Sequence, residues 1–136
     1  MECLFCKIIG GAVPATRVYE DENVIAILDI NPVNIGHTLV ISKAHYDNLY
    51  TLPADLLSAM SLVVQKLAIA IKHAVAADGI NIEMNNERAA GQLLDHAHIH
   101  IVPRYENDGF THWKGKRGYE PGEAEIVSGK IKASLS

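Results

Sequence analysis

The chain lacks the features that tie a protein to polyanions, bilayers or oxidising compartments. It has no excess of positive charge: 12 Lys and Arg stand against 16 Asp and Glu, for a formal net charge of -4. Broad nucleic-acid-binding surfaces show as basic patches on basic domains, so no nucleic acid is expected as a partner, and a nucleotide would have to be met in a pocket. It also lacks a long uncharged apolar run. The most apolar stretch, Leu56 to Ala77, is interrupted by Gln65, Lys66, Lys72 and His73, so no membrane span is expected. The opening residues Met1-Glu2-Cys3-Leu4-Phe5-Cys6 show neither a charged segment leading into an apolar one nor a small-residue cleavage site, which makes a cytoplasmic location the expectation. Cysteine is scarce. The two present, Cys3 and Cys6, form a Cys-x-x-Cys pair, a spacing that in a reducing compartment favours metal binding or redox chemistry over a structural disulfide.

What is present suits a single core: 136 residues of which 49% are apolar can bury enough surface for one domain. Val18 to Glu20 and Val24 to Leu28 are β-favouring runs split by Asp21-Glu22-Asn23, the pattern of a hairpin. Asn31-Pro32 and Asn34 to Gly36 mark a loop, and Thr38 to Ser42 a third strand. From Leu56, the residues Leu57, Met60, Val63, Val64, Leu67, Ile71 and Val75 recur at three- and four-residue spacing, which predicts an amphipathic helix starting near Thr51 and Pro53 and ending by Asp78-Gly79. Ile80 to Asn85 follows as a strand, Asn86 to Gly91 as a polar connection, and Leu93 to Val102 as a last strand. The expected fold is α+β: an antiparallel sheet of about five strands, one long helix inserted between the third and fourth, and a short helix over Ile126 to Leu135.

The last strand carries the chemistry. Ala97, Ile99 and Ile101 alternate with His96, His98 and His100, so an extended chain puts three imidazoles on one face and three apolar groups on the other. Three readings fit that pattern: a polar sheet face, a metal site made of imidazoles, or covalent catalysis. In the last, a neutral imidazole attacks phosphorus near pH 7 and the phosphorylated ring then leaves, dividing one hard substitution into two easier ones. Such a ring must present one bare nitrogen while its other nitrogen is held by a hydrogen bond, and flanking imidazoles can bind phosphate oxygens or protonate the leaving group.

The run His96-Ala97-His98-Ile99-His100-Ile101-Val102-Pro103-Arg104 resembles the signature of the histidine-triad family. The likeness extends to Cys3-Leu4-Phe5-Cys6-Lys7-Ile8-Ile9, Val13-Pro14, Tyr19-Glu20-Asp21, Leu28-Asp29-Ile30, Gly36-His37-Thr38-Leu39-Val40-Ile41, Lys43-Ala44-His45 and Gly91-Gln92, in family order, over about residues 3 to 110. Residues 111 to 136 are then a C-terminal extension, in which Lys114, Lys116 and Arg117 read as a solvated loop. The resemblance implies a histidine-triad fold and a nucleotide substrate of the purine nucleoside monophosphate type. It implies that His98 attacks the α-phosphorus, that His100 binds phosphate oxygens or assists the leaving group, that His37 supports the triad from a neighbouring strand, and that His96 closes it. It implies that Asp29 accepts the ribose hydroxyls, that Phe5, Ile8, Val13, Ile27 and Ile30 sandwich the base, and that Asn85 and Gln92 hold the phosphate region. Asp29 could otherwise be a turn former, Asn85 and Gln92 loop stabilisers, and the five apolar residues ordinary core. In some bacterial members Cys3, Cys6, His45 and His96 together match a structural zinc site. No organic cofactor is implied, and a homodimer is, with Asp108-Gly109-Phe110 and Trp113 near the partner's pocket. Two departures stand out: Leu93 occupies a position that is often Ser or Thr, and Asp95 one that is often aromatic. The activities implied are a nucleoside phosphoramidase or, in another branch, a dinucleoside polyphosphate hydrolase. A nucleotide-binding interaction module and a thiol redox protein are the readings outside that chemistry.

Overall fold

Two consecutive apolar strands, Val24–Leu28 and Thr38–Ser42, are almost wholly buried, and runs buried along their length require cover on both faces of a sheet. The computed structural model, which describes residues 2–111, 113 and 115–135, supplies that cover; Lys114 lies outside the described residues. The elements are α1 (Leu4–Ile9), β1 (Arg17–Glu20), β2 (Val24–Leu28), β3 (Thr38–Ser42), α2 (Ala54–Ala74), β4 (Gly79–Glu83), β5 (His98–Arg104) and α3 (Glu123–Ser134), with 3-10 turns at Leu49–Thr51 and Arg88–Ala90. The five strands form one antiparallel sheet in the order β1-β2-β3-β5-β4. This is the α+β architecture expected, with the long helix between the third and fourth strands.

One face of the sheet packs Val24, Ala26, Val40, Ile99 and Ile101 against Met60, Val63, Val64 and Leu67 of α2. The other packs Ile25, Ile27, Leu39 and Ile41 against Phe5 and Ile8 of α1. By length and hydropathy alone α2 could cross a bilayer; here its apolar stripe covers the sheet, while Gln65 and Lys66 lie on the exposed side. Asp55 in its first turn and Lys72 and His73 in its last complement the helix dipole.

Several boundaries differ from the sequence reading, α3 among them, which runs over Glu123–Ser134 instead of Ile126 to Leu135. The long helix ends at Ala74, before Asp78-Gly79, because Ala76 takes a left-handed conformation with φ 53°. Strand β4 stops at Glu83 instead of Asn85. Strand β5 begins at His98, not Leu93, and runs on to Arg104. Pro103 is tolerated in this interior strand because the β3 ladder ends at the Thr38–Ile101 pair; its carbonyl accepts instead from Asn34 Nδ2 at 2.8 Å.

Candidate active site and metal centre

Register places the histidines. Val40 pairs with Ile99 on the α2 face, so the flanking pairs Ile41–His98 and Leu39–His100 put both imidazoles on the α1 face. Helix α1 brings Phe5 edge-on to His98, with ring centroids 5.0 Å apart. His96 is not on the strand. The segment 92–97 is bent away by contacts to residues 46 and 47: the Ala97 N–H donates to the Tyr46 carbonyl at 2.7 Å, and Gln92 Nε2 to the Asp47 carbonyl at 2.6 Å. The expected single file of three histidines is therefore a pair on the strand and a third turned into a neighbouring cluster.

Hydrogen-bond partners fix the tautomers. His98 Nδ1 lies 2.7 Å from the His96 carbonyl; a carbonyl only accepts, so Nδ1 carries the proton and Nε2 is bare. His37 Nδ1 accepts from the Val33 N–H at 3.1 Å, so its proton is on Nε2, which donates to His100 Nδ1 at 2.9 Å. His100 is left with a proton on Nε2. The strand pair thus presents one ring with a lone pair and, with centroids 5.1 Å away, one with an N–H: a nucleophile beside a proton donor. Asp29 divides its carboxylate, with Oδ1 accepting from the Asn31 N–H at 2.8 Å and Oδ2 lying 3.7 Å from His37 Nε2. Asp29, His37 and His100 also gather three potential metal-ligating atoms. The Val33 N–H nevertheless keeps the His37 proton on the ring atom that would have to face an ion, which suits a proton relay better than a cation site.

All four imidazoles are held neutral. Burial lowers His37, His96, His98 and His100 below the usual histidine range. His100 is lowered further by His37, and Glu83 and Asp29 partly oppose the fall.

The second cluster has the chemistry of a closed metal centre. Cys3 Sγ lies 3.5 Å from His45 Nδ1 and 3.3 Å from His96 Nδ1, and Cys6 Sγ lies 3.3 and 3.6 Å from the same atoms. Zinc with Zn–S of about 2.3 Å and Zn–N of about 2.0–2.1 Å in a tetrahedron separates sulfur from nitrogen by about 3.6 Å. The rings are also correctly protonated for ligation. His96 Nε2 donates to the Ser42 carbonyl at 2.6 Å and His45 Nε2 to Asp47 Oδ1 at 3.1 Å, leaving both Nδ1 atoms bare. The two cysteines are free thiols. Burial first, then the Cys3 sulfur, pushes the Cys6 thiol up to about 11, an obstacle to ionisation that a dication between the sulfurs removes.

The remaining candidates fall in different places. Phe5, Ile8 and Ile27 are buried in one cluster, with Val13 packed against it, whereas Ile30 is 86% exposed on the loop after β2. Asn85 lies beside Gly91, whose φ of 93° gives a left-handed turn. Gln92 is buried, and its amide is engaged by backbone on every side: Oε1 accepts from the Glu87 N–H at 2.8 Å, and Nε2 donates to the carbonyls of Asp47 and of Leu94, the latter at 3.0 Å. That geometry makes it a clamp on the 87–94 loop. Leu93 is exposed. Asp95 is exposed too, on the bent segment where strand alternation does not apply.

Several positions escaped the sequence reading. Glu87 is a non-glycine residue at φ 72°, ψ 158°, a region almost reserved for glycine, and the Gln92 bonds hold it there. Asp108 accepts from Arg104 Nε and Nη2, the Tyr105 and Phe110 N–H groups and Asn34 Nδ2. Arg104 chiefly holds its carboxyl well below the usual range, and Asn34 in turn receives the His37 N–H on its carbonyl at 3.0 Å. A carboxylate two residues after a candidate metal-ligand histidine was the one readable signal, for Asp47.

The chain matches the HIT domain family over residues 11–107. It superposes on the crystal structure of a member of the HIT family of proteins from Bacillus subtilis with a TM-score of 0.93 at 41% identity, covering 100% of this chain and 99% of that one. The Zn-bound histidine triad family protein from Mycobacterium smegmatis is 38% identical with a TM-score of 0.78 over 98% of each chain. Adenylylsulfatase HINT3 of Arabidopsis thaliana is 45% identical over 79% of this chain and 54% of its own length.

Two outcomes follow from the site's construction. Because His37 and His100 are depressed in the fold, the unfolded chain binds more protons once pH drops below about 6.5. Stability should be full above that pH and fall as pH descends toward the folded-state values, read as a declining urea midpoint between pH 8 and 5.5; a flat midpoint would mean the rings are not held neutral. Replacing Gln92 with Ala strands buried backbone groups at about 1–3 kcal/mol each. The variant should lose at least about 2 kcal/mol in urea unfolding, and a smaller loss would show that the clamp is dispensable.

Proposed function

Because the chain belongs to the HIT, or histidine-triad, family, whose members include nucleotide-acting enzymes such as that adenylylsulfatase, we propose that it is a nucleotide-binding hydrolase or transferase. Its substrates are purine nucleoside phosphoramidates or related nucleotides, attacked at the α-phosphorus by His98. The observation that carries this reading is the tautomer pair, a bare Nε2 on His98 beside an Nε2–H on His100.

In the first step His98 Nε2 forms a bond to phosphorus as the bond to the leaving amine breaks; the amine, protonated from solvent as the substrate binds, departs as the neutral species, and the His100 Nε2–H donates a hydrogen bond to the phosphate oxygens and the departing nitrogen. The ring then carries the nucleotidyl group on Nε2 and a proton on Nδ1. This imidazolium-like state is stabilised by the His96 carbonyl and is a good leaving group. In the second step water attacks phosphorus as the bond to His98 Nε2 breaks, the water proton passes by way of a phosphate oxygen to solvent, and the nucleoside monophosphate leaves. His37 and Asp29 support His100 through the chain of contacts that fixes its tautomer. A carboxylate oxygen has more than one acceptor site, so Asp29 can take ribose hydroxyls while bonded to the Asn31 N–H. Phe5, Ile8 and Ile27, with Val13 packed against them, and the exposed Ile30 after β2 are assigned to the base. Asn85, beside Gly91, is assigned to the phosphate region, and Gln92 acts through the loop it clamps.

Cys3, Cys6, His45 and His96 would hold a zinc ion whose closed coordination makes it structural, tying α1 to the approach of β5. With His96 so engaged, hydrogen-bond assistance to the leaving group falls to His100, with His37 behind it. A homodimer is part of the proposal: Leu62 and Ile69 on α2 and Ile82 on the edge strand β4 are exposed apolar groups beside an unpaired edge. The location proposed is the cytoplasm.

The similarity to an adenylylsulfatase favours a second leaving group, sulfate, at the same centre. Leu93 in place of a hydroxyl removes one contact that would otherwise help to choose among amine, sulfate and nucleoside polyphosphate. A non-catalytic nucleotide-binding module is the reading that a failed test would leave.

Intact-protein mass spectrometry after mixing with adenosine phosphoramidate and quenching without acid should reveal a nucleotidyl adduct on His98. The His98→Ala variant should keep nucleotide affinity, form no adduct and lose turnover by at least about 1,000-fold. Binding without adduct or product in the wild-type chain, with each of the three leaving groups, would defeat the enzymatic reading.

A further inference from the structure

His96 belongs to two sites through two different groups. Its ring Nδ1 faces the sulfurs of Cys3 and Cys6, and its backbone carbonyl accepts the Nδ1 proton of His98. The peptide unit that carries this carbonyl is clamped at both ends. On one side the carbonyl meets His98; on the other the Ala97 N–H donates to the Tyr46 carbonyl at 2.7 Å. Tyr46 follows His45, another residue of the cluster. Phe5, edge-on to both His96 and His98, sits between Cys3 and Cys6. The hydrogen bond and the edge-on ring contact on His98 therefore both come from residues in the cluster or adjacent to one, with the His100 ring as its other neighbour.

We propose that the Cys3/Cys6/His45/His96 cluster, when it holds its cation, fixes the proton of His98 on Nδ1, with His96 as the positioning residue. The strand ladder cannot do this alone, because His98 is the first residue of β5 and its pairing with Ile41 sets its backbone but not its ring. A free imidazole side chain prefers the opposite tautomer, with the proton on Nε2. That form would bring the Nδ1 lone pair against the lone pairs of the His96 carbonyl and would cap the attacking nitrogen with hydrogen. Holding the carbonyl rigidly in place makes the Nδ1–H form the favoured one. A cation bonded to His45 and His96 locks both ends of the Tyr46 to His98 chain, whereas neutral thiols offer only weak contacts to the two rings. Loading the cluster releases thiol protons and forms no bond to His98, so the effect runs through geometry.

The inference rests on the proposed role of His98, yet the proton position can be read without turnover. The experiment uses the full chain with 15N-labelled histidine, loaded with zinc at a pH where the rings are neutral, and His98 assigned by comparison with a His98→Gln variant. In the loaded protein His98 Nδ1 should give a protonated-type shift and Nε2 a bare-nitrogen shift. Chelation should move both toward averaged values, and added zinc should restore them, while the His37–His100 pair stays put. Turnover of a nucleoside phosphoramidate should fall about 10- to 100-fold on chelation, mostly in kcat rather than KM. If the chelated chain unfolds, cadmium in place of zinc tests the same link in a folded protein: the larger ion shifts His96, and the His98 Nδ1–H resonance should move while the His37–His100 proton does not. A His98 tautomer unchanged by chelation in a folded chain, or an Nδ1–H resonance indifferent to cadmium, overturns the inference. A metal-dependent tautomer without turnover would uphold it and count against the proposed function instead.

Discussion

A single 2.7 Å hydrogen bond, from the ring of His98 to the carbonyl of His96, sets the conditions the rest of the molecule meets. The bond needs His98 at the start of a strand whose register turns its ring toward α1, and that register comes from the Ile41 and Leu39 pairs of β3. It also needs the His96 carbonyl outside the sheet ladder, available to a side chain. The bend over residues 92–97 provides this, and Gln92, Tyr46 and Asp47 maintain the bend. The apolar core enters the argument at this point: α2 on one face and α1 on the other make β3 and β5 buried and therefore immobile in register.

The second constraint is charge. Four imidazoles packed this closely cannot all be protonated without mutual repulsion in a poorly solvated site, and burial removes the difficulty by keeping them neutral. Neutral rings must share donors and acceptors correctly. The chain does so in two separate lines, Val33 to His37 to His100, and Ser42, His96 and the cysteines. No buried side-chain nitrogen or oxygen among the described residues lacks a partner. One line presents an N–H on His100 and the other gathers four potential metal ligands, and they meet at His98.

The legible parts of the sequence were those governed by local periodicity. The stripe from Met60 to Leu67 and the alternation of Ile99 and Ile101 with His98 and His100 announced the helix, the sheet and the histidine face. The Cys3-x-x-Cys6 spacing left metal and redox roles open, and it was the family resemblance that joined His45 and His96 to the pair. Where long-range bonds override local pattern, the reading failed. The strand was expected to start at Leu93, but the Ala97 N–H is taken by the Tyr46 carbonyl and the Gln92 side chain by the Asp47 carbonyl, so the segment bends away from the sheet. Gln92 could not be told from a phosphate ligand, because of the backbone groups that occupy its amide one is 45 residues away in sequence and another belongs to the strained Glu87. The left-handed Ala76 and the strained Glu87 carry no glycine to mark them, and Ile30 looks like core although the chain leaves it in solvent.

The central claim is that His98 divides the substitution at phosphorus into two displacements. The most direct measurement is the stereochemical course at that atom, using a nucleoside phosphoramidate made chiral by sulfur at the α-phosphorus and hydrolysed in isotopically labelled water. Two in-line displacements, first by His98 and then by water, invert the centre twice, so the account predicts net retention. Net inversion would mean that water attacks directly, and the paired tautomers of His98 and His100 would then have to be explained by something other than covalent catalysis.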